Sequence, residues 1–195
     1  METGRDIVRG ALGCDTKAPV AFDGGTFRWP TGPAKLTVTS KTFENNTTMP
    51  QSTLFEGFGV GGGNRSPHIA WSGAPPETKS YAIVLHDPDA PTGTGFFHWV
   101  AFDIPATVTE LPEDAGGGGG GVPSSFKHGH TDFGTAKYGG PAPPPGHGPH
   151  HYNFHVYALD VPSIGADAST TAALLRFMMI GHVVGEGVLT GIYER

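Results

Sequence analysis

The chain has 195 residues, of which 37% are apolar and 15% charged, so it is long enough to bury the core of one domain. Its net charge of −6, with only 12 basic residues scattered along the sequence, excludes electrostatically driven binding to nucleic acid and disfavours an anionic membrane surface. The 31 glycines and 18 prolines lie mostly between apolar runs, where turns need them, which favours a β-rich fold with many loops.

The N-terminal region carries few structural signals. The stretch from Met1 to Asp6 leads into no apolar run typical of a signal peptide, and no segment of the sequence reaches the roughly 20 apolar residues that span a bilayer. The single cysteine, Cys14, cannot form an intramolecular disulfide. We therefore expect a soluble cytoplasmic protein without a transmembrane segment, in which residues 1–34 are a peripheral extension and residues 35–195 are the main domain.

Apolar periodicity predicts mostly strands. The β-branched residues at 36–39 predict a first strand, and the continuous apolar runs at 81–85 and 99–104 predict two more. Between residues 152 and 159 the pattern alternates, which places one set of side chains on a single face of a fourth strand. The members of that set are Tyr152, Phe154, Val156 and Ala158.

Helical spacing appears only near the C-terminus. Ser169-Thr170-Thr171 offers an N-cap, and apolar residues then recur at i, i+3 and i+4 from Ala172 to Met179. A further helical turn or two is predicted between His182 and Leu189. Strands first and helices last indicate a mainly β, α+β fold with a dominant antiparallel sheet.

Two glycine-dense segments are expected to play different parts. Residues 57–63 are not followed by the Gly-Lys-Ser/Thr ending of a phosphate-binding loop, so this segment is predicted to be purely structural. Residues 116–121 are six consecutive glycines with no side chains to pack, so they are predicted to form a mobile surface loop.

Three polar residues lie where predicted strands begin or end. Asp87 follows the 81–85 run, and His98 and His150 each come shortly before a later strand. If these strands are neighbours, the three side chains converge on one cavity. A carboxylate that orients an imidazole, whose other nitrogen donates to an oxyanion, suits a phosphate, sulfate or carboxylate ligand, and Tyr152 adds a hydroxyl donor.

An ordered set of motifs, from about residue 36 to the C-terminus, resembles the phosphatidylethanolamine-binding protein family and more closely its bacterial and archaeal Raf-kinase-inhibitor-like branch. The motifs are Asn64-Arg65-Ser66-Pro67, Asp87-Pro88-Asp89-Ala90-Pro91, His98-Trp99, the Gly-Pro-x-Pro-Pro-x-Gly segment at 140–146, His150-His151-Tyr152 and Tyr157-Ala158-Leu159-Asp160. The resemblance implies a large antiparallel sheet packed on a smaller one as a β-sandwich, with helices at the C-terminal end.

The same resemblance implies a ligand pocket. Its ligand-binding residues are Asp87, Pro91, His98, His150 and Tyr152, and its supporting residues are Asp89, Trp99 and Pro144. The implied ligand is a small anion or a phospholipid head group, with no cofactor. A kinase or protease is the implied protein partner, and the oligomeric state is left open between monomer and homodimer.

Local departures from the family pattern affect this pocket. His151 stands where the family commonly has arginine, so a fixed positive charge is missing, and Thr131 replaces an asparagine.

The Ala90–Pro91 peptide bond is expected to be cis, both because of the resemblance and because cis X-Pro bonds gather in tight turns.

Two other functions remain open at the level of sequence. The ten histidines invite a metal site. However, His150 and His151 are adjacent on a strand and point to opposite faces, and His128 and His130 follow the glycine tract, so no metal site is predicted.

The alternative to a binding protein is an enzyme that uses Asp87, His98 and His150 for acid–base chemistry. The sequence offers no evident nucleophile and no Gly-x-Ser-x-Gly elbow for such an enzyme.

Overall fold

The structure is a computed structural model that describes residues 22–23, 26–27, 32–119 and 121–195. The chain divides into two units, Met1–Gly32 and Pro33–Arg195. In the first unit, the described residues are mainly one short antiparallel pair, β1 (Phe22–Asp23) and β2 (Thr26–Phe27). Cys14 lies outside the described residues, and the peripheral role of residues 1–34 stays a prediction.

The second unit is built mainly from strands, with a single α-helix among its described residues. The elements are β3 (Ala34–Lys35), β4 (Thr37–Thr39), β5 (Thr47–Thr48), β6 (Ile69–Ser72), β7 (Ser80–Asp87), β8 (Phe96–Pro105), β9 (Glu110–Leu111), β10 (Lys127–His128), β11 (His150–Leu159), α1 (Ala172–Met178) and β12 (Val183–Tyr193). Two short 3₁₀ turns, Gln51–Thr53 and Ala115–Gly117, lie between them.

Seven strands form the larger sheet. Its order is β10-β8-β7-β11-β12-β3, and β5 also pairs with β12. The long strands β8, β7, β11 and β12 pair with one another in antiparallel fashion, which confirms the predicted antiparallel sheet. At one edge, however, the short strands β3 and β5 pair with β12 in parallel, so the sheet is mixed there.

A smaller sheet of β4, β6 and β9 contributes to the same hydrophobic core as the larger one. The core combines side chains from both sheets, among them Val38, Trp71 and Leu111 from the smaller sheet and Ile83, Trp99, Phe154 and Val156 from the larger one. Both sheets are open. The expected sandwich is therefore met only in part, as two open sheets that share a core.

The strand β11 shows the predicted alternation. Tyr152, Phe154, Val156 and Ala158 are all buried, whereas the intervening residues from 153 to 157 are half-buried. The two faces of this strand are thus distinct. We call the face that carries Tyr152 the inner face and the one that carries His155 the outer face.

The predicted helix is confirmed as α1, because the Thr171 side chain accepts a hydrogen bond from the Leu174 amide at 3.3 Å and caps its first turn. The further helical turns predicted at 182–189 are wrong, since β12 occupies this region. Two glycines let this strand pack closely against other parts of the chain: a Cβ atom at Gly187 would lie 2.5 Å from the Leu36 carbonyl oxygen, and one at Gly191 would overlap the Met49 side chain. The described residues therefore contain one helix at the C-terminal end rather than several.

Two expectations about loops are corrected, the first of them only for the start of the glycine tract, and the mobility of the later glycines stays a prediction. The glycine tract begins in a buried 3₁₀ turn, where the Gly116 amide donates to Ser66 Oγ at 2.8 Å, so its start is part of the core rather than a mobile surface loop. The peptide bonds of the described residues are all trans, including Ala90–Pro91, so the cis prediction is wrong. The turn closes instead through hydrogen bonds from the Asp89 amide to Asp87 Oδ1 and from the Thr92 amide to the Ala90 carbonyl.

Within the described ranges, no helix has the length and apolar character that a membrane crossing needs.

Candidate functional site

A small cavity of about 210 Å³ lies where β7 ends and where β8 and β11 begin. Its lining consists of Phe58, Asp87, Ala90, Pro91, Thr92, Phe96, His98, Phe133, Ala142, Pro143, Pro144 and His150. Most of these side chains are apolar, and only a few polar groups face the space. The structure thus brings together Asp87, Pro91, His98, His150 and Pro144 in one cavity.

A β-bulge aims His98 into this cavity. The pairing between β7 and β8 runs from Leu85 with Trp99 directly to His86 with Phe97, so His98 is an extra residue without a partner opposite it. A bulge of this kind turns two successive side chains toward the same side of a sheet. His98 therefore joins Trp99 on the inner face, where simple alternation would have placed it on the outer face.

Asp87 and His150 form a buried pair at the ends of neighbouring strands. The Nδ1 atom of His150 donates to Asp87 Oδ2 at 2.7 Å, and the two side chains are 1% and 4% exposed. The other carboxylate oxygen, Oδ1, accepts from the Asp89 amide at 3.0 Å. The carboxylate thereby fixes the tautomer of His150, so that Nε2 is the nitrogen left for other partners.

His98 is held as a neutral ring. Its Nδ1–H donates to the carbonyl oxygens of Gly139 and Gly140 at 2.9 and 3.1 Å. Burial lowers the pKa of His98 to about 4, although these carbonyls and the Asp87 charge act in the opposite direction. At neutral pH, the remaining nitrogen, Nε2, is therefore a hydrogen-bond acceptor rather than the donor that the sequence suggested.

A third histidine, His147, contacts the site from outside. Its Nδ1 atom lies 2.8 Å from His150 Nε2, and its side chain is exposed. One proton must lie between two nitrogens at this distance, because two lone pairs or two N–H groups would repel each other. Asp87, His150 and His147 thus form a chain of hydrogen bonds from the core to the surface. Sequence reasoning counted His147 only among the ten histidines that invite a metal site.

Tyr152 lies behind the cavity and does not line it. Its side chain is fully buried, and its hydroxyl has no hydrogen-bond partner among the described residues. Burial raises the pKa of Tyr152, and the neighbouring Asp87 carboxylate adds to this effect. The hydroxyl therefore remains protonated and is a free donor next to the Asp87–His150 pair.

Aromatic side chains form the wall that sequence reasoning did not foresee. Phe133 stands edge-on to His98 and Phe96, with ring centroids 5.3 and 4.8 Å apart. The ring centroids of Phe58 and Phe133 are 6.3 Å apart, and Phe58 is 72% exposed at the rim of the cavity. Arg195 holds the Phe58 loop by donating from Nη1 to its carbonyl at 2.9 Å. The glycine-dense loop at 57–63, predicted to be purely structural, thus supplies part of the lining.

The predicted supporting residues take different positions. Asp89 lies outside the cavity, where its carboxylate accepts from both the amide and Nδ1 of His151 at 2.8 Å and ties the β7–β8 turn to β11. These hydrogen bonds lower the pKa of Asp89 even though burial opposes them. Trp99 is a core residue that donates from Nε1 to His128 at 3.1 Å. Neither Asp89 nor Trp99 belongs to the lining, whereas Pro144 does.

A metal site would need a group of ligands among the described residues, and nucleophilic chemistry would need a nucleophilic side chain in the cavity. The described part of the chain contains no group of three His, Cys, Asp or Glu side chains that could hold a metal ion. Among the described lining residues, Thr92 carries the only side-chain hydroxyl, and this hydroxyl donates to the Gly95 carbonyl. It is therefore directed away from any partner that would activate it.

The fold and this cavity define a mainly β protein with two open sheets and a small polar pocket at the strand ends. A family model described as phosphatidylethanolamine-binding protein matches residues 39–194. The UPF0098 protein YbcL of Escherichia coli is 44% identical over 162 residues, which cover 83% of this chain and 88% of YbcL. The UPF0098 protein of Aquifex aeolicus is 40% identical over 84% of this chain and 91% of its own length.

Solved structures give the same relationship. The crystal structure of E. coli YbcL, described as a new member of the mammalian PEBP family, aligns with a TM-score of 0.79 over 83% of this chain and 99% of YbcL. A homologue from Chlamydia trachomatis, CT736, aligns with a TM-score of 0.70 at 27% identity over 83% of this chain and 98% of CT736. The chain belongs to the phosphatidylethanolamine-binding protein family.

Proposed function

We propose that this protein binds the phosphate or carboxylate group of a small molecule in the Asp87/His98/His150 cavity and takes up a proton as it does so. The observation that supports this most strongly is the pairing of a buried carboxylate–imidazole couple with a second, neutral imidazole in the same cavity. Family membership adds support, since small-ligand binding is what the family suggests. A phospholipid head group is one ligand of this chemistry.

The size of the cavity limits the ligand. Pockets that enclose drug-sized molecules are typically about 300–1,000 Å³, and this cavity measures about 210 Å³. It therefore suits a phosphate group or a short head group, while the remainder of a larger ligand lies outside, against Phe58. The exposed ring of Phe58 is well placed to contact an apolar portion of such a ligand.

The charges of the lining residues explain why the protein takes up a proton when it binds an anion. Among the described lining residues there is no lysine or arginine, and Asp87 carries the carboxylate. An anion placed beside this carboxylate is repelled unless an added positive charge offsets it. Protonation of His150 at Nε2 supplies that charge and a donor together, once His147 gives up its contact with the same nitrogen.

His98 places a second requirement on the ligand, which must donate a hydrogen bond. Because its Nδ1–H is used by the Gly139 and Gly140 carbonyls, its Nε2 lone pair needs a donor from the ligand. A singly protonated phosphate provides a P–OH group for this acceptor and anionic oxygens for His150. The cavity is therefore expected to prefer an oxyanion that still carries a proton.

Calorimetric titration of the full chain with inorganic phosphate and with phosphoethanolamine tests the proposal. We expect saturable binding of one anion, weakened at least about tenfold in His150→Ala, since a hydrogen bond to a charged group contributes about 1.5–3 kcal/mol. His130→Ala is the matched control, because His130 is exposed and lies at a bridge to Thr171, away from the cavity. Equal affinity in the wild type and His150→Ala would contradict the proposal.

An enzyme remains the second candidate, because the Asp87–His150–His147 chain has the order of a carboxylate-oriented general base. Phosphate-ester and carboxylate-ester substrates distinguish the two functions. A binding protein releases such compounds unchanged, whereas an enzyme yields product whose rate falls in His150→Ala. Modulation of a kinase or protease stays a prediction, to be tested by inhibition assays with the purified chain.

A further inference from the structure

A second cavity lies on the outer face of the large sheet, beside α1 and the parallel edge of β12. It is an open groove of about 720 Å³, lined by Pro33, Lys35, Leu36, His155, Tyr157, Arg176, Glu186, Gly187 and Val188. It shares no lining residue with the first cavity. Since Tyr152 and His155 lie on opposite faces of β11, the two cavities are separated by the sheet.

Arg176 supplies a cation to this groove. Its guanidinium lies 5.2 Å from the centre of the Phe97 ring, a cation–π contact that holds it against the sheet. No carboxylate of the described residues lies within salt-bridge distance of it, in contrast to Lys127, which is paired with Asp103 at 2.9 Å. Its Nε atom is buried and has no hydrogen-bond partner among the described residues. The charge of Arg176 is therefore held in place and left unpaired.

Two neutral polar side chains stand next to this cation. The rings of His155 and Tyr157 lie nearly parallel, 6° apart in orientation, with centroids separated by 6.1 Å. Burial lowers the pKa of His155 to about 4, and the charge of Arg176 adds to this effect. Burial also raises the pKa of Tyr157. At neutral pH both side chains are uncharged and can hydrogen-bond to a ligand held by Arg176.

The balance of charge and apolar surface defines the ligand. The groove contains two cations, Lys35 and Arg176, and one anion, Glu186, so it complements a single negative charge and disfavours a dianion. The planar fork of arginine matches a carboxylate. Pro33 and Val188 offer apolar walls for a hydrocarbon group. We propose that this groove is a second binding site, for an organic monocarboxylate whose carboxylate meets Arg176 and whose apolar portion lies against these walls.

The site is tested with benzoate as the probe, titrated into the full chain and followed by amide chemical shifts in NMR. We expect saturable shifts around residues 155–157, 176 and 186–188. Arg176→Met keeps the length of the side chain and removes the charge, and it should weaken benzoate binding by about tenfold or more. Arg65→Met is the matched control because Arg65 is an exposed arginine paired with Glu113, and it should bind benzoate as the wild type does.

Further measurements distinguish a loss of binding from a loss of folding if Arg176→Met is less stable. Arg176→Lys keeps the charge without the fork and should give intermediate affinity, and thermal unfolding of each variant shows whether the fold is intact. Shifts confined to the Asp87/His150 cavity, or equal benzoate affinity in the wild type and a folded Arg176→Met, would overturn the proposal. Because the two sites share no residues, His150→Ala should leave benzoate binding at the groove unchanged, and failure of one site does not imply failure of the other.

Discussion

The Nδ1 atom of His147 lies 2.8 Å from Nε2 of His150, and this contact occupies the nitrogen that an anion in the cavity would use. His150 is fixed by Asp87 on its other side, so only one of its nitrogens is free to change partner. His147 is exposed and lies in a segment rich in glycine and proline. Of the two rings, His147 is therefore the one that can move away at lower cost.

Removal of His147 should strengthen anion binding. In His147→Ala, an incoming phosphate no longer competes with a hydrogen bond worth about 0.5–1.5 kcal/mol, so the affinity should rise about 2- to 10-fold. Calorimetric titration at pH 7.5 measures the change, with His130→Ala as the control for loss of an exposed histidine. Weaker binding in His147→Ala would show instead that His147 is itself an anion donor.

Phosphate should bind better than sulfate. The two ions have the same shape, but sulfate carries no proton near pH 6, so it cannot donate to the Nε2 lone pair of His98. A site built around such a hydrogen bond rejects a ligand that lacks it, and we expect at least about tenfold tighter binding of phosphate at pH 6. In His98→Ala the preference should largely disappear. Equal affinities for the two ions in the wild type would contradict the assigned tautomer of His98.

The stability of the fold should fall as the pH drops from about 6.5 to 4. The pKa of His98 is near 4 in the folded protein because of burial, and an unfolded histidine has a pKa near 6.5. The unfolded chain therefore binds more protons in this window, and the stabilisation, present in full above pH 6.5, is lost toward pH 4. For His98 the loss is on the order of 3 kcal/mol.

Urea unfolding as a function of pH measures this effect. His98→Asn keeps an amide N–H to donate to the Gly139 carbonyl and removes the titrating ring, so its stability should change less between pH 6.5 and 4. His155, whose pKa is also near 4, acts in the same direction and remains in this variant. An identical pH dependence in the wild type and His98→Asn would show that His98 is not buried as a neutral ring.

Gly187 should tolerate no side chain. A Cβ atom there would lie 2.5 Å from the Leu36 carbonyl oxygen, and it would meet backbone that cannot move freely. Overpacking of this kind typically costs about 1–3 kcal/mol, and we expect Gly187→Ala to lower the free energy of unfolding by that amount. Gly32→Ala is the control, because no heavy atom of the described residues lies within 4 Å of its added Cβ. Equal stability of the two variants would contradict the close approach of β12 to residue 36.

The fold could be predicted from the sequence where the pattern of apolar residues was strong. The strands β7, β8 and β11 and the Thr171-capped helix follow directly from apolar runs, alternation and helical spacing. β12 was missed because Gly187 and Gly191 interrupt its apolar pattern. The glycines are required by close packing against residues from other parts of the chain, such as Leu36 and Met49, which no local pattern reports.

The sequence predicted the ionisable residues that line the candidate site, but not which of their atoms donate or accept hydrogen bonds. Motif resemblance indicated Asp87, His98 and His150, and all three line one cavity. The bulge at His98, its carbonyl partners and the approach of His147 depend on tertiary structure. These contacts decide which nitrogens donate and which accept. Instead of two histidines that both donate to the anion, the cavity has His150, whose Nε2 atom is available to a ligand, and His98, whose neutral ring accepts at Nε2.

Proton uptake on binding tests the central claim most directly. Calorimetric titrations of inorganic phosphate at pH 7.5 are performed in two buffers with different ionisation enthalpies, and the difference between the observed enthalpies gives the number of protons exchanged. Inorganic phosphate at pH 7.5 already carries the proton that His98 Nε2 needs, whereas His150 must gain a proton at Nε2. We therefore predict a net uptake of about one proton per bound phosphate. Binding with no proton exchange, or with proton release, would contradict the account.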